Sequence, residues 1–78
     1  MNKELDALLK ETLYLDEQIK IDDSMFPGSI IEWDSLSHMN LIYNLSNKYH
    51  IEIPFKELKE IKNWGQLKSY VIKKVKKR

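Results

Sequence analysis

The chain has 78 residues, 42% of them hydrophobic and 32% charged, an ordinary balance for one small soluble globular domain. At that length the core is thin, and a deep catalytic cleft is not expected. Cysteine is absent, which excludes a disulfide framework, a thiolate nucleophile and a sulfur-based zinc site, so any thiol chemistry has to be imported.

The formal net charge of +1 conceals an uneven distribution. Glu4, Asp6, Glu11, Asp16, Glu17, Asp22 and Asp23 lie early, while Lys73, Lys74, Lys76, Lys77 and Arg78 close the chain. Such a basic run is able to touch nucleic acid or anionic lipid. Lysines in the last turns of a helix also oppose the negative end of its dipole, and a solvated basic tail over about residues 73–78 is the expectation. Met1-Asn2-Lys3-Glu4 leads straight into an amphipathic pattern without the apolar stretch of a signal peptide or membrane span. A cytoplasmic protein is expected.

Leu5, Leu8, Leu9, Thr12 and Leu13 recur at the spacing of one helical face, which predicts a first helix from about Asn2 to Leu15. From Asp16 to Trp33 no helical period is sustained, and Asp22-Asp23-Ser24 and Pro27-Gly28-Ser29 are turn-forming. This predicts a long ordered loop, a feature that tends to be functional, with Ile19, Ile21, Met25, Phe26, Ile30 and Ile31 as its apolar anchors. Asp34 is able to cap a second helix starting at Ser35, whose inward stripe is His38, Leu41, Ile42, Leu45 and Tyr49. Ile51-Glu52-Ile53 is too short for a sheet and is ended by Pro54. A short third helix follows, roughly Phe55 to Ile61. Asn63 caps a fourth, in which Trp64, Leu67, Tyr70, Val71 and Val75 turn inward and Gly65 slightly weakens the start. The expected fold is all-α, a small bundle of three longer helices and one short one in a single domain over residues 1–78.

The segment Glu32-Trp33-Asp34-Ser35-Leu36-Ser37-His38-Met39 places a serine in the first turn of a helix, after a long loop and beside a carboxylate. That position exposes the hydroxyl. Helix-terminal amides and the positive dipole end favour a phosphate there. Asp34 opposes such a charge unless a divalent cation or a partner enzyme bridges the two groups.

Asp34-Ser35-Leu36 resembles the Asp-Ser-Leu signature of acyl and peptidyl carrier proteins, and Trp33 ahead of it resembles a variant common in that family. The first helix, the long loop, the Ile51-Glu52-Ile53-Pro54 connector and the terminal helix with Tyr70-Val71 are similar in order and spacing, from about Lys3 to Ile72. The resemblance implies that a phosphopantetheinyl transferase uses coenzyme A and Mg²⁺ to place 4′-phosphopantetheine on Ser35, with Asp34 contributing to recognition. It also implies that the arm's sulfur carries acyl cargo as a thioester for loading and acyl-using enzymes, the protein itself being a monomeric substrate and partner of enzymes. The missing cysteine is compatible with this.

If the stripe above faces inward, Leu36, Met39, Asn40, Tyr43, Asn44 and Asn47 continue the outward face from Ser35. Leu36, Met39, Asn40 and Tyr43 are the candidate contacts for partner enzymes. Many fatty-acid-synthesis carriers resemble one another in an acidic second helix, whereas this one has no acid between Ser35 and Ile51. Long-range steering is then weaker and short-range packing carries more of the specificity, which points to a specialised biosynthetic pathway. A peptidyl or aminoacyl carrier and a non-carrying interaction module of the same fold are the alternatives.

Other readings are weaker. Ser35, His38 and Asp34 lack a nucleophile elbow and a supported oxyanion site, so independent hydrolysis is not expected and no catalytic residue is assigned. His38 and His50 lack the spacing of metal ligands. Trp33 and Trp64 are better placed in a core or docking surface than as base-stacking platforms, and no nucleic-acid partner is expected.

Overall fold

Short polar caps set where two of the helices begin. The structure, a computed structural model, describes residues 1–77 and has four helices in the order α1 (Asn2–Leu13), α2 (Ser35–Tyr49), α3 (Phe55–Leu58) and α4 (Trp64–Lys76). Asp34 caps α2 by accepting from the Ser37 amide at 2.8 Å. Asn63 caps α4 in the same way, accepting from the Gln66 amide at 2.9 Å. Each satisfies one of the amides that a helix start leaves without an intrahelical partner. The all-α bundle with one short helix is as expected.

The buried faces follow the helical period. Leu5, Leu9 and Leu13 of α1, Leu41, Ile42, Leu45 and Tyr49 of α2, and Trp64, Leu67 and Val71 of α4 meet in one core. His38, Tyr70 and Val75, also expected inside, are only half-buried. Trp33, from the loop, joins this core and meets the Trp64 ring edge-on at a centroid distance of 6.3 Å. Such edge contacts between aromatic rings add to the stabilisation that burial gives.

Two helices end in the same way, and for α1 this moves the end from where the sequence put it. α1 stops at Leu13 rather than Leu15 because Tyr14 takes a left-handed conformation (φ 56°), and the Leu15 amide then donates back to the Lys10 carbonyl at 2.9 Å. At the end of α2, His50 (φ 55°) turns the same way and the Ile51 amide donates to Ser46 at 3.1 Å. This reverse turn returns an apolar residue to the bundle, and Leu15 and Ile51 are both buried. α3 is a single turn that ends at Leu58 rather than Ile61. The basic stretch from Lys73 to Lys76 is the last part of α4, with Lys77 capping it; Arg78 lies outside the described residues.

The loop from 14 to 34 is strapped to α4 by backbone. The Trp64 amide donates to the Met25 carbonyl at 2.7 Å and the Gly65 amide to the Asp23 carbonyl at 2.9 Å. Gly65 is therefore more than a weak helix residue: a Cβ there would lie 2.9 Å from the Asp23 Cβ, so the close approach of loop to helix needs glycine. Beneath the strap the buried Lys68 ammonium joins Asp23 at 2.8 Å and Asp6 at 3.1 Å, and Asp6 also accepts from the Trp64 indole at 2.7 Å. These bonds tie α1, the loop and α4 together.

Candidate functional site

Ser35 is the first residue of α2 and is exposed, so the turn that creates the helix also presents the hydroxyl. Asp34 is extended at the cap, and its carboxylate is committed to the Ser37 amide. That bond, with further help from the Ser37 side chain, holds the Asp34 carboxyl below the usual carboxylate range. Asp34 thus stays charged next to Ser35 at neutral pH.

Below this turn sits Trp33, 1% exposed. Its indole N–H donates to His38 Nδ1 at 3.1 Å, and the two rings are tilted at a centroid distance of 6.0 Å. Trp33 precedes the cap and His38 is the fourth helical residue, the two positions that pack together as a staple at many helix starts. Burial depresses the His38 imidazole below the ordinary histidine range. With Nδ1 accepting from Trp33 and Asp34 bonded to Ser37, the three groups do not form a hydrolytic relay. Both indoles are buried, which leaves no open ring face on which a base would stack.

The face that continues from Ser35 is apolar and open. Leu36 is 72% exposed, Met39 60% and Tyr43 68%, with Asn40 also exposed between them. The structure thereby brings the candidate partner residues onto one surface. Asn44 is partly covered and donates to Thr12 Oγ1 at 3.1 Å, so it braces α2 against α1 rather than facing outward. A groove of about 470 Å³ runs along this seam and is lined by Thr12, Tyr14, Asn40 and Tyr43, among others.

The loop corrects one expectation. Ile31 is 92% exposed, and Phe26 and Ile19, 49% and 38% exposed, are not packed on the core, so these three do not anchor the loop; Ile21, Met25 and Ile30 are the expected anchors that do. The deepest anchor is Trp33, and its place just before a capped helix was the available signal. Ile31 instead is open to solvent, four residues before Ser35.

Among the described residues, no helix is long and apolar enough to cross a membrane. No family model and no curated protein matches the chain. Among solved structures, it is similar to the solution NMR structure of a holo acyl carrier protein from Geobacter metallireducens. The two are 37% identical with a TM-score of 0.81, and the match covers 94% of this chain and 86% of the other. The chain belongs to the acyl carrier protein family. Its role is that of a carrier.

Proposed function

We propose that Ser35 is the attachment point for 4′-phosphopantetheine and that the chain holds acyl intermediates as thioesters on that arm. The observation that carries this reading is an exposed serine as the first residue of α2, directly after a capping aspartate, in a chain of the carrier family. The surroundings fit the group: the positive dipole end at the start of α2 favours a phosphodiester, and Leu36 and Met39 beside it are exposed.

When bound, the arm supplies the thiol that the cysteine-free chain lacks. The Ser35 hydroxyl accepts the phosphopantetheinyl group from coenzyme A, forming a phosphodiester as the pyrophosphate bond breaks and adenosine 3′,5′-bisphosphate leaves. A phosphopantetheinyl transferase directs that step, and the charged Asp34 beside Ser35 contributes to recognition with Mg²⁺. Leu36, Met39, Asn40 and Tyr43 are the surface that loading and acyl-using enzymes read. Because α2 carries no acid, short-range packing rather than charge selects those enzymes, and a specialised pathway fits this better than core fatty-acid synthesis. On this reading the carrier is a cytoplasmic monomer of one domain, residues 1–78.

Intact mass after incubation with coenzyme A and a broad-specificity transferase tests the attachment. A gain of one arm on the native chain and none on Ser35→Ala is expected. No gain with several competent transferases favours a non-carrying interaction module. Loading assays with acyl- and aminoacyl-activating enzymes separate an acyl from an aminoacyl carrier, and exclusive use by fatty-acid enzymes would sink the specialised role.

A further inference from the structure

Three hydrogen bonds bracket Ser35. The Ser37 amide donates to the Asp34 side chain at 2.8 Å, the His38 amide donates to the Asp34 carbonyl at 2.9 Å, and the Trp33 indole donates to His38 Nδ1 at 3.1 Å. The first two are the ordinary bonds of a capped helix start. The third is different in kind, because it joins the residue before the cap to the residue that closes the first turn, and its acceptor titrates.

We infer that His38 is a positioning residue for modification at Ser35: as neutral imidazole it holds the Trp33 indole and so fixes the loop-to-helix junction on which Ser35 is presented. This role rests on the attachment reading above. With Nδ1 accepting, the neutral ring carries its proton on Nε2. A second proton has to go to Nδ1, which turns the acceptor into a donor facing a donor. Trp33 is fully buried, and among the described residues its indole N–H donates to His38 alone. A buried donor that loses its acceptor disfavours the closed arrangement. The junction therefore loosens as His38 becomes charged.

The charges on the surrounding elements do not offset this. On the loop side Asp34 is bonded to the Ser37 amide and Asp23 to Lys68, and Glu32 is exposed. From α1, Asp6 is shared by Trp64 and Lys68, and Glu4 is bonded to Tyr49 and Lys48. Glu57 of α3 is bonded to Tyr70 and Lys74. Besides His38 itself, the titratable side chains of α2 are Tyr43, Lys48 and Tyr49. Burial alone depresses the His38 imidazole, which agrees with a site built for the neutral form. The sign follows: a depressed histidine contributes its stabilisation above about pH 6.5 and loses it as pH falls through the lower folded-state value.

The test uses the full chain and the variants His38→Gln, which keeps an acceptor opposite the indole, and His38→Leu, which removes it. Nitrogen-15 NMR follows both indole N–H groups from pH 8 to pH 4.5. The Trp33 resonance is expected to shift and lose exchange protection along the His38 titration, while that of Trp64, held by Asp6, does not follow that curve. Arm transfer from coenzyme A is measured over the same range as the ratio of native to His38→Gln rates, which cancels the transferase's own pH dependence. That ratio is expected to fall about tenfold by one unit below the His38 midpoint, where about a tenth of the chains hold the neutral ring. His38→Leu is expected to be slower than His38→Gln at every pH.

A Trp33 resonance indifferent to the His38 titration overturns the inference, as does a rate ratio constant with pH. If the native chain gains no arm at any pH, the attachment reading fails and this role with it. If the arm is gained at a constant ratio, the positioning role alone fails.

Discussion

Replacing Gly65 with alanine sets two opposing effects against each other. In an ordinary helix the change stabilises by about 1 kcal/mol, because glycine has more backbone freedom to lose. Here the new Cβ falls 2.9 Å from the Asp23 Cβ and 3.3 Å from both the Asp23 Cγ and its carbonyl oxygen. The strap has to lift, which weakens the Gly65-to-Asp23 and Trp64-to-Met25 bonds at 2.9 and 2.7 Å. At about 1 kcal/mol net for each bond, and up to about 1 more from the exposed Asp23 ion pair, the loss outweighs the gain. Gly65→Ala is expected to destabilise by about 1–2 kcal/mol, lowering the melting temperature by about 4–8 °C for each kcal/mol in a chain of this size. Urea and thermal unfolding measure it. Adding Asp23→Gly removes the two nearest side-chain atoms, so the double variant should be more stable than the sum of the two single effects by about 1 kcal/mol. A Gly65→Ala protein more stable than the native one, or strict additivity in the pair, refutes the reasoning.

Asp6 and Asp23 both reach Lys68 but should not cost the same. Asp6→Ala takes the acceptor from the buried Trp64 indole and leaves the Lys68 ammonium with only Asp23 for its charge, a loss of about 2–3 kcal/mol in urea unfolding, against about 1 or less for the exposed Asp23→Ala. Equal costs would contradict this account of the cluster. At alkaline pH the folded state holds several protons more tightly, that of Tyr70 by burial and its bond to Glu57, and those of Tyr49 and Lys68. Burial, followed by the hydrogen bond to Glu4, pushes the Tyr49 phenol up to about 12. For Lys68 burial acts downward, but hydrogen bonds with Asp23 and Asp6 outweigh it and the net direction is up. These contributions are complete below the unfolded values near 10 and decline as pH rises toward 12, so unfolding free energy should decline over that window and decline less in Tyr49→Phe. Stability that stays level from pH 9 to 12 would count against it.

The parts of the fold that were legible are those set by local chemistry. Asp34 and Asn63 mark the starts of α2 and α4 because a short polar side chain can reach an unpaired amide. The helical period then places Leu36, Met39 and Tyr43 opposite Leu41 and Leu45, so the exposed face beside Ser35 could be drawn before the structure. Helix ends were harder, since Tyr14 and His50 adopt a left-handed turn in which glycine is the usual signal. The loop was hardest. Its apolar residues have no period, so spacing does not separate Ile31 from Trp33, yet one is open to solvent and the other lies under the helix start. Lys68 likewise passes for an ordinary surface lysine until folding brings Asp6 and Asp23, both distant in sequence, to its ammonium.

The contact between Trp33 and Trp64 has an optical consequence. They are the chain's two tryptophans, both are buried, and their rings meet edge-on. Ultraviolet excitation and near-ultraviolet dichroism therefore see one coupled pair, with one indole next to Ser35 and the other anchored to α1. Emission from the unlabelled protein can report in real time whether a change at the helix start that carries the serine disturbs its contact with the middle of the bundle.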